Sequence, residues 1–159
     1  MNVRTDRRPQ APSRVLIVDS NIILGCALGL RAGDVLQFVG RYRLLATSQR
    51  AVQEIKVVAQ RLTEQGNPTA GFANDLVKGL WIVAEAEYAP LVVEAARALL
   101  LGPPSRNGKT TDAHVLALAW LAGADIWSHD RDFAGTGWPS WSSANLRAAL
   151  ARETHLSED

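Results

Sequence analysis

Acidic side chains recur in this sequence at the points where an alternating chain of strands and helices would turn. Asp19 ends the run Val15-Leu16-Ile17-Val18, Glu54 lies shortly after Ser48, Asp112 follows Thr110-Thr111, and Asp130 and Asp132 follow Trp127-Ser128-His129. Brought together, such carboxylates repel and push some of their pKa values up. A cluster of them is tolerable when a cation neutralises it. Hard divalent ions take oxygen ligands, and Mg²⁺ typically uses one or two carboxylates together with waters and substrate phosphate. One or two such ions turn water into a nucleophile and stabilise the leaving oxygen in phosphodiester cleavage. A zinc site does not compete, because Cys26 is the only cysteine and His114, His129 and His155 are scattered.

The elements that must position these acids follow from hydrophobic patterning. Val15 to Val18 is apolar and mostly β-branched, which predicts a strand over roughly 14–19 buried on both faces. In an open parallel sheet, ligands sit beyond the carboxyl ends of the strands, which is where Asp19 falls. Asp19 alone could equally cap the next helix. Helices are expected over 21–30 and from Gly33-Asp34 to Gly40, then a second strand over 42–47. Ser48 is a candidate N-cap for a helix whose Val52, Ile55, Ala59 and Leu62 share one stripe. Glu54 lies in its second turn, off that stripe. Gly66-Asn67-Pro68 ends it. A helix over 69–78 aligns Phe72, Leu76 and Leu80, a third strand covers 80–84, and a strongly apolar helix runs from Tyr88 to Leu101.

After Gly102-Pro103-Pro104 and a polar loop, Thr110 or Thr111 is expected to cap a helix over 112–121, closed by Gly123. A fourth strand spans 125–128. Trp138 to Trp141 suits an edge strand, since Pro139 cannot donate to a ladder. A helix over 143–152 closes the chain. Strands alternating with helices predict a three-layer α/β/α sandwich with a mostly parallel sheet of four to five strands. Residues 14–152 form the domain, 1–13 an Arg- and Pro-rich flexible arm, and 153–159 a polar tail. With parallel strands, Asp19, Glu54 and Asp130 fall at one sheet edge. Asp112 must reach it from the loop side.

Composition narrows the classes. With 47% hydrophobic and 21% charged residues the chain reads as an ordinary globular protein. No apolar run approaches the ~20 residues of a membrane span, and no signal-type segment precedes residue 14; a cytoplasmic protein is the simplest expectation. A net charge of +1 does not announce a nucleic-acid binder, so such a role must come from local charge placement.

The pattern Val-Asp19-Ser-Asn21-Ile-Ile, Ser48 with Glu54, Thr-Thr-Asp112-Ala-His-Val-Leu-Ala-Leu-Ala and Trp-Ser128-His-Asp130-Arg-Asp132-Phe133 resembles a PIN-domain nuclease over roughly 14–150. The two ends carry the specificity; Glu54 matches mainly by position. Small bacterial PIN domains are commonly VapC-type ribonuclease toxins. The resemblance implies Mg²⁺ or Mn²⁺ held by Asp19, Asp112 and Asp130, with Glu54 completing the acidic quartet and Asp132 as an auxiliary ligand through water. It implies that Ser128, and with it Asn21, orients a carboxylate. It also implies an RNA substrate, a homodimer and a silencing antitoxin. The alternatives are a non-catalytic PIN scaffold binding RNA or protein, and a PIN nuclease of RNA processing or DNA repair. The extra helix over 65–80 and the long arm depart from the pattern without touching the acids.

Other features have plainer readings. Arg106, Lys109 and Arg131 are surface charges whose position beside the acids makes them candidate RNA-backbone contacts. His114 is expected on a solvent-facing or half-buried helix position, and His129 is expected to be structural or exposed. The tryptophans at 81, 120, 127, 138 and 141 are assigned to core and edge packing. Gly102 to Thr110 resembles a phosphate-binding loop, but Pro103 stands where the first glycine belongs and two prolines remove backbone donors. A receiver-type phosphoacceptor needs an acidic pair at the first strand, where Ser20 follows Asp19. A haloacid-type phosphatase needs a second aspartate where Asn21 stands.

Overall fold

The computed structural model describes residues 10–29, 32–68, 70–102 and 110–157. Five strands, β1 (Val15–Val18), β2 (Leu44–Ser48), β3 (Trp81–Val83), β4 (Asp125–Trp127) and β5 (Ser140–Trp141), form one sheet of order β3-β2-β1-β4-β5. Every neighbouring pair is parallel. The helices are α1 (Ser20–Leu28), α2 (Ala32–Gly40), α3 (Gln49–Glu64), α4 (Ala70–Val77), α5 (Glu85–Leu100), α6 (Ala113–Ala122) and α7 (Ser143–Leu156). The expected three-layer α/β/α sandwich is the observed fold, with all strands parallel.

β1 sits at the centre, and its alternation divides the core. Leu16 and Val18 face one side, packing with α1, α2, α3, α4 and α7; Ile17 faces the other, with α5 and α6. Successive strand side chains point to opposite faces, so a central strand covered on both sides has no polar position to spare. In the register Ile17 lies beside Ala46 of β2 and Ile126 of β4, which brings the ends of the three strands level. No helix among the described residues is long and apolar enough to cross a membrane.

Several expectations shift. Phe72 is 62% exposed, and α4 instead turns Ala73 and Val77 inward with Leu80. The small Ala73 lets α4 approach α1 and α3 closely, which a buried phenyl ring would prevent. Trp81 is 69% exposed because β3 is an edge strand, so it is not a packing tryptophan. Trp127, by contrast, is fully buried and donates its indole N–H to Ser143 (3.0 Å). Neither Thr110 nor Thr111 caps α6: a 3-10 turn, Thr110–Asp112, puts Asp112 at the cap position.

The closing helix also runs past 152, because Glu153 on its last turns pairs with the Arg43 guanidinium at 2.7 Å. Arg43 bonds the Pro12 carbonyl as well (3.1 Å), and Ser13 bonds Asp125, so the end of the N-terminal segment is held against the sheet. Arm residues 1–9, tail residues 158–159, and the loop with Arg106 and Lys109 lie outside the described residues. Gly123 ends α6 as expected, at φ 59°, in the left-handed region that a glycine adopts without a Cβ clash.

Candidate active site

β1 delivers Asp19 to the carboxyl edge of the sheet. Its backbone N–H continues the ladder to the Trp127 carbonyl (3.0 Å), so its position is fixed by the strand pair. The residue occupies the N-cap position of α1, yet its side chain makes no capping bond. The plain capping role therefore does not account for it. Instead Asp19, 3% exposed, accepts a 2.7 Å hydrogen bond from the Ser128 hydroxyl.

Ser128 follows β4 and is buried. Its oxygen accepts from the backbone N–H of Asp130 (2.9 Å) and from the Asn21 amide (3.2 Å) while its proton goes to Asp19. One donor and two acceptors fill the capacity of a hydroxyl. Asn21 also accepts from the His129 N–H (3.3 Å), tying α1 to the loop after β4. Asp130 in turn accepts from the Asp132 N–H (2.9 Å) and caps the 3-10 turn Arg131–Thr136. The turn-residue role is thus real for Asp130 and compatible with a second one. Asp132 lies in the first turn of that segment, half-buried, and Arg131 beside it is exposed.

Glu54 reaches the same edge from α3. Ser48 ends β2 and caps α3 through the Ala51 N–H (3.0 Å), so the helix begins at the sheet edge and its second turn passes over it. One Glu54 oxygen accepts from the Ser20 hydroxyl (3.1 Å), which also stands 3.4 Å from Asp19. The other Glu54 oxygen meets Nε2 of His114 at 3.0 Å.

His114 corrects the sequence reading. It is 2% exposed rather than solvent-facing or half-buried, and its Nδ1 lies 2.7 Å from the Ser48 hydroxyl. Sequence reasoning missed both His114 and Ser20 as site residues. The signal for His114 was its setting in α6, where Ala113 to Ala119 are all buried. A polar side chain inside a helix covered on every side must find partners. His129 is exposed, as expected.

The electrostatics show that the acids share one field. Burial pushes the Asp19 carboxyl above its ordinary range against the Ser128 hydrogen bond, and Glu54 adds to the rise. Asp112 is raised as well, to about 7, through burial and then the nearby charges of Asp19 and Asp130, with Glu54 adding a smaller push. Asp112 makes no capping bond, and its carboxyl feels acids from β1, α3 and the loop after β4. Glu54 goes the other way: burial raises it, but the hydrogen bonds from His114 and Ser20 prevail and hold it below its ordinary value. Asp19, Glu54, Asp112 and Asp130, distant in sequence, are therefore neighbours.

Among the described residues, no three His, Cys, Asp or Glu side chains stand close enough together to hold one ion. The donor set nevertheless fits a hard dication. It is made of carboxylate oxygens, Mg²⁺ asks for only one or two of them beside water, and a positive charge relieves the repulsion that raises Asp19 and Asp112.

A family model described as PIN domain matches residues 17–151. Among solved structures, the chain is similar to FitAcB from Neisseria gonorrhoeae, with a TM-score of 0.62 and 11% identity over 82% of this chain and 99% of that one. It is similar to VapBC-1 from nontypeable Haemophilus influenzae, with a TM-score of 0.60 and 17% identity over 82% and 98%. A toxin-antitoxin complex from Klebsiella pneumoniae gives a TM-score of 0.57 and 22% identity over 76% and 91%. At these identities the likeness is one of fold. No curated protein sequence matches the chain.

Proposed function

This chain belongs to the PIN-domain family, and from that premise we propose that it is a metal-dependent endoribonuclease, the toxin of a toxin–antitoxin pair. The observation that carries this reading is that Asp19, buried at the end of β1, and Asp112, half-buried at the start of α6, come from distant segments to one sheet edge, where both carboxyls are raised and the charge of Asp19 contributes to the rise of Asp112. A protein gains no stability by burying carboxylates against each other, so the arrangement makes sense as a device for a ligand of opposite charge.

In this proposal Asp19, Asp112 and Asp130 hold Mg²⁺ or Mn²⁺, Glu54 completes the set, and Asp132 assists through water. The ion, when bound, supplies activation of water and stabilisation of the leaving oxygen of an RNA phosphodiester. The chain's own residues do the rest. Ser128 fixes one Asp19 oxygen while the other lies 3.4 Å from the Ser20 hydroxyl, with Asn21 holding Ser128 in turn. Asp112, at about 7, retains a proton for part of the time near neutrality, and loading the site releases it, as ligands must be deprotonated to bind metal. Arg131, exposed beside Asp130, is a candidate for steering RNA phosphates, as are Arg106 and Lys109.

The toxin assignment draws on the fold neighbours, one of which is described as a toxin-antitoxin complex. It brings with it a cognate antitoxin, a homodimer and a cytoplasmic setting, which the single cysteine Cys26 suits. The test is cleavage of structured RNAs with Mn²⁺ or Mg²⁺, wild type beside Asp19→Asn and Asp130→Asn. Cleavage that disappears with chelator and in both variants is the expected result; full activity in both variants removes the mechanism. The rival, a non-catalytic scaffold, is favoured by the lack of three ligating side chains in range among the described residues. Calorimetry with Mn²⁺ separates the two, since the scaffold predicts no binding in the millimolar range.

A further inference from the structure

His114 is placed between two groups that both belong to the start of α3. Its Nδ1 is 2.7 Å from the hydroxyl of Ser48, the N-cap of that helix, and its Nε2 is 3.0 Å from Glu54, six residues further on. The imidazole comes from α6, two residues after Asp112. The N-cap and first turn of α6 therefore bring an acid of the cluster and the group that grips another acid of the cluster.

The direction of each hydrogen bond follows from counting protons. An ionised carboxylate only accepts, so the His114 nitrogen facing Glu54 must carry a proton. Ser48 has one proton and already accepts from the Ala51 N–H at 3.0 Å. Ser48 is 1% exposed, and a buried hydroxyl proton without an acceptor is costly. Nδ1 is the acceptor within reach. The arrangement that satisfies every proton has Ser48 donating to Nδ1 and the Nε2–H donating to Glu54. In the reverse tautomer two lone pairs face each other across the Glu54 contact and the Ser48 proton loses its partner.

We propose that His114 is a positioning residue for Glu54: its ring, anchored at Nδ1 on the helix cap Ser48, donates its Nε2–H to one Glu54 oxygen while the Ser20 hydroxyl holds the other. This rests on the nuclease reading for its consequence and on the hydrogen-bond geometry for its existence. The cap of α3 then has two functions. It starts the helix, and it anchors the ring that presents a proton to the acid. Glu54 is fixed at both oxygens from two different elements, α1 and α6, so its carboxylate plane cannot turn freely on the flexible side chain.

Two measurements on the full chain test the proposal. In long-range ¹⁵N–¹H correlation spectra of ¹⁵N-histidine protein, the His114 ring is expected to show a protonated Nε2. The measurement needs no variant of His114 and no activity. In RNA cleavage with Mn²⁺, His114→Leu is expected to lower kcat by about 10–100-fold, as loss of a residue that orients a metal-site ligand does. His114→Gln, whose amide both donates and accepts, recovers part of that loss. KM for RNA stays near wild type in both. An unprotonated Nε2, or wild-type kcat in a folded His114→Leu, overturns the proposal. A chain that cleaves no RNA yet shows the Nε2 proton sinks the nuclease reading and leaves the clamp standing.

Discussion

Asp19 and Asp125 stand on or just beyond adjacent strands, are 3% and 7% exposed, and are used in opposite ways. Asp125 opens β4 at the amino edge of the sheet. One of its oxygens accepts the Ser13 backbone N–H (3.1 Å) and the Trp141 indole N–H (2.8 Å), while its own N–H goes to the Ser13 hydroxyl (2.7 Å). Each donor belongs to a segment that the carboxylate fastens down: the entry to β1 and the edge strand β5. Asp19, at the carboxyl edge, receives one short bond from Ser128 and faces Glu54. At one edge a buried charge is spent on joining segments. At the other, a buried carboxylate and three half-buried ones are collected against each other. The difference locates chemistry better than burial or acidity alone, because both aspartates share those.

The largest test of that asymmetry is on turnover. Asp19→Asn is expected to reduce metal-dependent RNA cleavage by about 10²–10³-fold, the scale of losing one preorganised electrostatic group. Asp125→Asn should leave kcat within a few-fold. Without metal, Asp19→Asn should also be the more stable protein near neutrality, by about 0.5–2 kcal/mol, since it removes a buried repelling charge. Equal cleavage by wild type and Asp19→Asn, in parallel single-turnover assays, would break the comparison at its functional end.

Much of this was legible in the sequence, and the reasons differ by element. β1 declared itself because a central strand needs apolar residues on both faces, and Leu16, Ile17 and Val18 supply them. Ser48 and Gly123 worked as local signals because a cap and a left-handed terminus depend on nearest neighbours alone. The convergence of Asp19 and Asp130 followed from parallel strand order. His114 was not legible by periodicity, because α6 is covered on every side from Ala113 to Ala119 and has no polar face against which a buried histidine stands out. The exposure of Trp81 depends on β3 being an edge, which is a property of the whole sheet order. The extension of α7 depends on Arg43, more than a hundred residues earlier, reaching Glu153.

A second pair of effects is on stability. Asp125→Ala leaves the Ser13 and Trp141 donors without their acceptor and should cost about 1–3 kcal/mol in urea denaturation. Wild-type stability in that variant would strip the amino edge of its structural role.

The carboxyl edge predicts a pH dependence of its own. Asp112 is raised from 3.8 to about 7 in the folded protein, so between those values the native state holds a proton that the unfolded chain has lost. Stability then falls as pH rises through that window. Without metal, the wild type should lose stability relative to Asp112→Asn across this range and be flat against it above. Mn²⁺ should reduce the difference. A gap between the two proteins that does not change with pH contradicts the shared field.

The smallest effect isolates a single bond. Trp141→Phe keeps a ring on β5 but removes the indole N–H that Asp125 accepts, so a loss of about 0.5–1.5 kcal/mol is expected, with RNA cleavage unchanged. Part of that loss reflects the smaller ring, and a double-mutant cycle with Asp125→Asn separates it. Neighbours that share a hydrogen bond couple by about 0.5–3 kcal/mol, whereas independent sites add. Coupling in that range means the carboxylate binds β5 to β4 through this contact. Strict additivity means that β5 is held by its backbone bonds to Ile126 and Ser128, and that Asp125 is tied only to the entry of β1.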